Sequence, residues 1–229
     1  MIARTTAVIE PGGVLGAVTC APPLTLRQVL GHGRCELRLV GTAAGPLAGD
    51  DLALSLRLRP GARATLRAAG ASVAQGGGGA RSLTIRAELG EDADLVAEPG
   101  ALIACAGSRV DVRVEIALGA GAAVRWRELI VLGRTAEAAG QVTLRWDVTR
   151  DGQPVLRQLA DLGPGQFGGK RVLACALISD PAVSVRTAVE SATAVAQRVG
   201  DGTVLITVLD DDAARAVRRL DDLSTRALS

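Results

Sequence analysis

The side chains in this sequence that are best suited to chemistry are a few carboxylates, one histidine and four cysteines. His32 is the only histidine, and it lies between Gly31 and Gly33 without an obvious partner for proton transfer. General acid–base catalysis and Ser-His-Asp triads depend on a positioned histidine. This inventory therefore argues against an enzyme, and we interpret His32 as a surface or loop residue.

Other catalytic and cofactor motifs are missing from the sequence. It contains no Gly-x-Ser-x-Gly elbow, no His-x-x-Glu-His zinc motif and no dinucleotide fingerprint. The four glycines at 76–79 are followed neither by Gly-Lys-Ser/Thr nor by a helix start, so residues 75–81 are predicted to form a surface loop. The acidic run at 210–212 is interpreted as a solvated helix cap rather than a metal cluster.

Cysteine spacing and charge exclude several further classes of protein. Cys20, Cys35, Cys105 and Cys175 are far apart and form no Cys-x-x-Cys pair, which argues against a zinc ribbon and fits buried thiols in a reducing cytosol. The net charge is +2 without a basic cluster, so no nucleic-acid partner is expected. Prolines and glycines interrupt the apolar residues near the N-terminus, and we predict no membrane span and a cytoplasmic location.

Glu128 is the most informative single carboxylate. It has the same strand parity as Trp126 and Ile130, and this parity directs a carboxylate toward an apolar side, where it needs a partner. Arg134 has the same parity and is the predicted partner. Because Leu129 and Val131 are also apolar, a strand that is buried on both faces, or bulged, remains an equal alternative.

Alternation of apolar and polar residues extends over most of the chain before residue 178. Side chains alternate across a strand, so each such run predicts a strand with one buried face. The runs end in turn residues such as Pro60-Gly61 and Pro99-Gly100, whose recurrence hints at stacked strand-turn-strand units. The alternating segments are residues 34–39, 52–59, 83–88, 110–118 and 142–149.

The pattern changes after residue 178. Asp180 and Pro181 suit a helix start, and apolar residues then recur at helical spacing up to Gly200, so a helix is predicted over 181–199. A short strand is predicted over 203–209 and a second helix over 211–226. We expect a single domain over 1–229, with a β body at 1–178 and a C-terminal part at 179–229.

Three segments of the chain carry motifs with a characteristic order and spacing. They are Glu98-Pro99-Gly100-Ala101-Leu102-Ile103 with Ala106-Gly107-Ser108-Arg109, Trp126-Arg127-Glu128 with Leu132-Gly133-Arg134, and Gly45-Pro46-Leu47-Ala48-Gly49-Asp50-Asp51-Leu52. Arg150-Asp151-Gly152-Gln153-Pro154 is a further motif. Over roughly residues 40–170, the order and spacing of these motifs resemble those of the urease accessory protein UreD (UreH) family.

The resemblance implies a layered β fold with a few C-terminal helices. Combined with the patterning, it predicts an all-β dominated, β-helix-like arrangement of strands with a small helix-strand-helix unit at the C-terminus. The function that the resemblance implies is that of a chaperone for urease maturation. Such a protein binds the accessory protein UreF and, through it, the GTPase UreG, and the assembly docks on apo-urease subunits to deliver nickel.

The resemblance also implies that nickel passes through the interior of the protein. Nickel prefers imidazole and thiolate ligands, and one histidine with scattered cysteines cannot build a tight site, so the sequence fits passage better than storage. Weak, transient contacts are expected at Asp50, Glu98 and Glu128, and no tightly bound cofactor is expected. Two alternatives stay open: a β-solenoid or sandwich interaction module unrelated to urease, and a hydrolase that uses carboxylates alone.

Overall fold

A computed structural model describes residues 1–31 and 33–228, with Phe167 described by its backbone alone. The prediction about His32 lies outside the described residues. The described chain contains eighteen strands and one α-helix. The first nine strands are β1 (Ile2–Glu10), β2 (Val14–Thr19), β3 (Leu24–Val29), β4 (Cys35–Gly41), β5 (Asp51–Leu58), β6 (Arg63–Ala68), β7 (Ser72–Ala74), β8 (Arg81–Leu89) and β9 (Asp94–Glu98). The others are β10 (Ala101–Ala104), β11 (Arg109–Leu118), β12 (Ala123–Leu132), β13 (Gln141–Arg150), β14 (Gln153–Leu162), β15 (Val172–Ser179), β16 (Ala188–Ser191), β17 (Ala194–Gly200) and β18 (Thr203–Asp210), followed by α1 (Ala213–Leu228).

The strands form two sheets. The first sheet has the order β14-β13-β11-β8-β5-β1-β2. The second has the order β16-β17-β18-β15-β12-β9-β6-β4-β3, and the short strands β7 and β10 join it beside β12. The strands predicted from alternation are confirmed, and residues 75–80 form the loop between β7 and β8.

Parallel pairing makes the middle of the molecule a β-solenoid. In the first sheet Asp51 pairs with Ser82, Ser82 with Asp111, and Asp111 with Thr143. The chain therefore returns to the same place after roughly 30 residues, the length of one strand-turn-strand unit. The second sheet repeats this in β6, β9 and β12. The predicted layered, β-helix-like arrangement is confirmed.

The main core lies between the two sheets. Alternation in β11 places Val110, Val112, Val114 and Ile116 inside, as the sequence predicts. The only two tryptophans meet there, since Trp126 and Trp146 pack edge to face with ring centroids 6.4 Å apart. Aromatic residues are otherwise scarce, so leucine, valine, isoleucine and alanine fill the remaining space.

A second core lies between the outer face of the second sheet and α1. Ala216, Leu220, Leu223 and Ala227 recur at helical spacing and are buried against β15, β17 and β18. The helix begins after Asp212, whose Oδ1 accepts a hydrogen bond of 2.7 Å from the backbone N–H of Arg215. The predicted strand at 203–209 and the predicted helix at 211–226 are confirmed, with small changes in their bounds.

The predicted helix over 181–199 is wrong. These residues contain the antiparallel hairpin of β16 and β17, and β17 pairs with β18. Asp180 does not begin a helix; its Oδ1 accepts a hydrogen bond of 3.0 Å from the backbone N–H of Ala182 and closes a turn. The run of valine and alanine fits both the helical period of 3.6 residues and the strand period of two. The strand forms because pairing with β18 buries Ala194 and Ala196 under α1. The C-terminal part is thus a hairpin, a strand and a helix.

Among the described residues, no helix has the length and apolar character needed to cross a membrane.

Candidate functional site

Glu128 lies inside the molecule on β12. Its side chain shares the inner face with Trp126 and Ile130, and only 6% of the residue is exposed. The indole Nε1 of Trp126 donates a hydrogen bond of 2.7 Å to Oε1 of Glu128. Burial raises the pKa of Glu128 to about 7, although this hydrogen bond lowers it in part. A buried carboxylate that titrates near neutral pH is a typical feature of functional sites.

Both alternatives for β12 are correct in part. Trp126, Glu128 and Ile130 face the main core, as parity predicts, while Leu129 and Val131 pack on the opposite face against the α1 core. The strand is therefore covered on both sides without a bulge at this point, since its pairing with β15 is continuous from Val124 to Val131. The inward direction of Glu128 follows from parity alone.

The predicted partner of Glu128 is wrong. Within the described part of the chain, Arg134 pairs with Glu137, with 2.9 Å between Nε and Oε2. The side chain of Arg134 is 63% exposed and β12 ends at Leu132, so strand parity does not apply at Arg134. Glu137 also accepts hydrogen bonds from the backbone N–H groups of Arg134 and Ala106, and the arginine and these bonds lower its pKa to about 2. This pair stabilises the loop after β12.

The second sheet has a gap beside Glu128. β12 pairs with β9 through residues 123–126 and with β10 through residues 129–132. Arg127 and Glu128 lie between these two sets, opposite the turn at Pro99 and Gly100. Gly100 has φ +96°, and a Cβ there would be 2.6 Å from the Cβ of Ala68, so this close turn requires glycine.

Three cavities meet around this gap. An interior cavity of about 20 Å³ lies between the sheets and has room for about one water molecule. It shares Leu24, Leu39, Ser72 and Pro99 with a surface cavity of about 590 Å³ at the ends of β4 and β6. It shares Gly100, Ala101 and Glu128 with a cavity of about 160 Å³ beneath α1, which we call the helix-side cavity. Glu128 thus borders the interior cavity and the helix-side cavity.

Glu98 lies at the outer side of the gap. It lines the helix-side cavity together with Arg127. Arg67 Nε is 3.4 Å from Glu98 Oε2, and Arg127 Nη1 is 3.9 Å from Glu98 Oε1. Arg127 also pairs with Asp221 of α1, with 2.5 Å between Nη2 and Oδ1. The structure therefore brings Glu98 and Glu128 to the same cavity, one at its charged rim and one at its inner end.

Asp50 lies apart from this pair. Its Oδ1 is 2.9 Å from the amino group of Met1, and its Oδ2 accepts a hydrogen bond of 2.8 Å from the backbone N–H of Leu47. Burial alone would raise its pKa, but these hydrogen bonds lower it below the ordinary value. Gly45 lines the surface cavity, and a Cβ on Gly45 would be 3.7 Å from Oδ2 of Asp50. Asp50 therefore contacts a residue that lines this cavity but does not line the cavity itself.

Sequence reasoning missed two residues of the site. Trp126 provides the hydrogen bond to Glu128, and an indole two positions away on the same strand face was a usable signal for it. Ser72, where the surface and interior cavities meet, follows a run of small residues and had no signal in the sequence. Within residues 1–31 and 33–228, no three histidine, cysteine, aspartate or glutamate side chains cluster in a way that would hold a metal ion.

The fold and site define a layered β-solenoid protein with one buried carboxylate beside a gap in a sheet. The family model described as UreD urease accessory protein matches residues 11–228, and the chain belongs to this family. It is 35% identical to the urease accessory protein UreD of Parafrankia sp. over 97% of this chain and 87% of that protein. It is 33% identical to UreD of Frankia alni, over 98% and 83%, and 30% identical to UreD 3 of Streptomyces griseus, over 100% and 98%. This membership supports a role in urease maturation.

Proposed function

We propose that this chain is a non-catalytic chaperone of urease maturation through which nickel ions pass on their way to apo-urease. The observation that carries the proposal is the position of Glu128 in the gap of the second sheet, between the interior cavity and the helix-side cavity. Membership in the UreD family supports urease maturation as the process. The proposed partners are those that the family resemblance implies: UreF, the GTPase UreG through UreF, and the urease subunits.

The geometry supports transit rather than storage. Glu128 offers a single carboxylate, whereas a tight nickel site needs several imidazole or thiolate ligands. The interior cavity holds about one water molecule, so an ion at Glu128 has lost most of its hydration shell and needs the carboxylate as a replacement ligand. Because the pKa of Glu128 is about 7, the carboxyl group exchanges a proton for the cation near neutral pH.

The proposed route has two ends. At the helix-side cavity, Glu98 and Arg127 form the rim, and Arg127 also pairs with Asp221 of α1, so a cation arriving there competes with Arg127 for Glu98. At the other end, the surface cavity opens between β4, β6 and the residues around Ser72. We leave Asp50 out of the route because it lies outside the residues that line the three cavities, and both of its oxygens accept hydrogen bonds.

The test is activation of apo-urease in a reconstituted system with UreF, UreG, GTP and limiting nickel. Glu128→Gln keeps the side-chain volume and an acceptor for Trp126 but removes the charge, and we expect a rate of activation at least about tenfold lower. Glu88→Gln is the matched control, since Glu88 lies on the outer face of the first sheet and pairs with Arg57. Full activation by the Glu128 variant, with the variant still bound to UreF, would refute passage along this route.

Deletion of the gene in the host tests the wider proposal. We expect urease subunits at normal abundance that lack nickel and activity. Normal urease activity in the deletion strain at limiting nickel, or failure of the purified chain to bind UreF, would contradict a role in maturation.

A further inference from the structure

A short row of polar side chains crosses the inner face of the second sheet at Glu128. Glu128 of β12 pairs with Cys175 of β15, and Cys175 pairs with Thr207 of β18. Residues that pair directly in neighbouring strands point to the same face of the sheet, and Cys175 belongs to the main core. The rows on either side are apolar and consist of Trp126, Leu177 and Leu205, and of Ile130, Leu173 and Leu209. The polar row therefore lies between two apolar rows.

Cys175 differs in its surroundings from Cys35, the other buried cysteine of the main core. Cys35 is fully buried, and its row continues through Ala64 and Leu95. A thiol in such a row packs as a small apolar side chain. Cys175 is also buried and forms no disulfide, but its neighbour in the adjacent strand is the carboxylate of Glu128. The sheet thus holds a thiol directly beside a buried carboxylate.

The spacing of this pair suits a single metal ion. Directly paired residues in an antiparallel sheet have Cβ atoms about 4.5 to 5.5 Å apart. Bonds from a divalent transition metal to carboxylate oxygen and to thiolate sulfur are about 2.0 to 2.3 Å long, so one ion can contact both side chains. Oε1 of Glu128 accepts the hydrogen bond from Trp126, whereas Oε2 accepts none from the described residues. Oε2 is therefore available to a cation.

An ion that enters by the proposed route meets the carboxylate before the thiol. Glu128 lines both the interior cavity and the helix-side cavity. Cys175 lines neither of them and lies behind Glu128, although its neighbour Ala174 lines the helix-side cavity. Glu128 is thus the point of entry, and Cys175 is the next side chain of the sheet that can coordinate the ion.

We propose that Cys175 provides the second ligand to a nickel ion held by Glu128. This inference rests on the proposed function and adds to it the group that makes the contact selective. Oxygen ligands alone suit magnesium and calcium, whereas a thiolate favours softer transition metals. When the ion binds, the S–H bond of Cys175 breaks, a Ni–S bond forms and the proton is released to solvent, while nickel and sulfur keep their oxidation states.

The same pair makes the binding reversible. Burial is the main cause that raises the pKa of Cys175 to about 12, so the thiol is protonated whenever the ion is absent. Return of a proton to the sulfur therefore assists release of the ion. Two protein ligands also fill only part of the coordination shell of nickel, which limits the affinity. A site of this kind passes an ion on and does not store it.

Thiolate-to-metal absorption in the near ultraviolet tests the contact directly. The purified chain is titrated with nickel alone in a Cys20→Ser background, which removes the exposed thiol. We expect a charge-transfer band that disappears in Cys175→Ala and remains in Cys35→Ala, the matched control for loss of a buried thiol. Glu128→Gln should lower the apparent affinity at least about tenfold, because it removes the other ligand. Cys175→Val is a second variant that keeps the core filled, and thermal melts verify that each variant is folded.

The nickel dependence of urease activation separates a ligand from a packing residue. In the reconstituted system, both Cys175 variants should raise the half-saturating nickel concentration at least about fivefold and leave the maximal rate unchanged. Loss of packing alone would lower the melting temperature without moving this concentration. A band that persists in both Cys175 variants, or a nickel dependence equal to that of the wild type, would overturn the proposal.

The outcomes also distinguish this inference from nickel transit itself. Slower activation by Glu128→Gln, together with a wild-type nickel dependence in both Cys175 variants, would remove the thiolate ligand and keep the route through Glu128. Wild-type activation by the Glu128 variant and by both Cys175 variants would remove the route and the ligand together.

Discussion

The indole Nε1 of Trp126 and Oε1 of Glu128 are 2.7 Å apart in the interior, two residues from each other on one strand. This is the hydrogen bond that holds the buried carboxylate in place, and Arg134, at the protein surface, has no part in it. A hydrogen bond from a single neutral donor offsets only part of the free-energy cost of removing a carboxylate from water. Glu128 is therefore expected to decrease the stability of the fold when it is ionised.

We expect Glu128→Gln to stabilise the protein at alkaline pH. The pKa of Glu128 is raised from 4.5 to about 7, so the folded state binds a proton that the unfolded state has released between these values. The wild type thus loses stability as pH rises from 4.5 through 7, by about 3 kcal/mol in total, and the variant does not. Urea unfolding at pH 5 and pH 8 measures this. A variant less stable than the wild type at pH 8 would show that the charged form has a further partner.

Tryptophan fluorescence should report the titration of Glu128 directly. In a Trp146→Phe background only Trp126 remains, and its indole contacts the carboxyl group. Trp146 Nε1 is buried without a hydrogen-bond partner among the described residues, so this background change removes an unpaired donor. We expect emission to change with a midpoint near pH 7. Addition of Glu128→Gln should abolish the transition, and its persistence would assign it to another group.

Narrowing the route without changing its charge should slow nickel delivery. Ser72 lies where the surface and interior cavities meet, and Ser72→Val replaces its hydroxyl with two methyl groups at the junction with the interior cavity of about 20 Å³. We expect unchanged or slightly higher thermal stability, because the cavity is filled, together with slower urease activation in the reconstituted system. Thr6→Val on the exposed face of β1 is the control. Wild-type activation by the Ser72 variant would place the route elsewhere.

Asp210 should be the main electrostatic support of α1. It is 4% exposed and accepts hydrogen bonds from Arg215 at 2.8 Å and Arg219 at 2.9 Å, and these arginines lower its pKa. Asp210→Asn should cost about 2 to 3 kcal/mol at neutral pH by leaving Arg219 without this partner. Because the folded pKa is depressed, the difference between wild type and variant should shrink as pH falls below about 4.

The exposed neighbour Asp211 supplies the matched control for that experiment. Asp211 pairs with Lys170 at 2.7 Å, but its side chain is 51% exposed. Asp211→Asn should therefore change the free energy of unfolding by less than about 1 kcal/mol. Equal losses in the two variants, measured by urea unfolding, would show that the burial of Asp210 does not matter.

Local patterns in the sequence were enough to predict most of the secondary structure, the direction of Glu128 and the family. Alternation predicted the strands and the inward direction of Glu128, because the two-residue period is a property of the backbone itself. The amphipathic period and the aspartate cap similarly predicted α1. The motifs around Glu98, Glu128 and Arg134 identified the family, which the match over residues 11–228 confirms.

Tertiary structure decided the features that depend on which strands meet. Residues 181–199 satisfy the helical period locally, yet pairing with β18 and burial under α1 make part of them a hairpin. The gap beside Glu128 likewise follows from the pairing of β12 with β9 and β10 across long sequence separations. Periodicity is a local property and can be read from consecutive residues. Strand register and cavities arise only when distant segments pack against each other, so no short window of sequence contains that information.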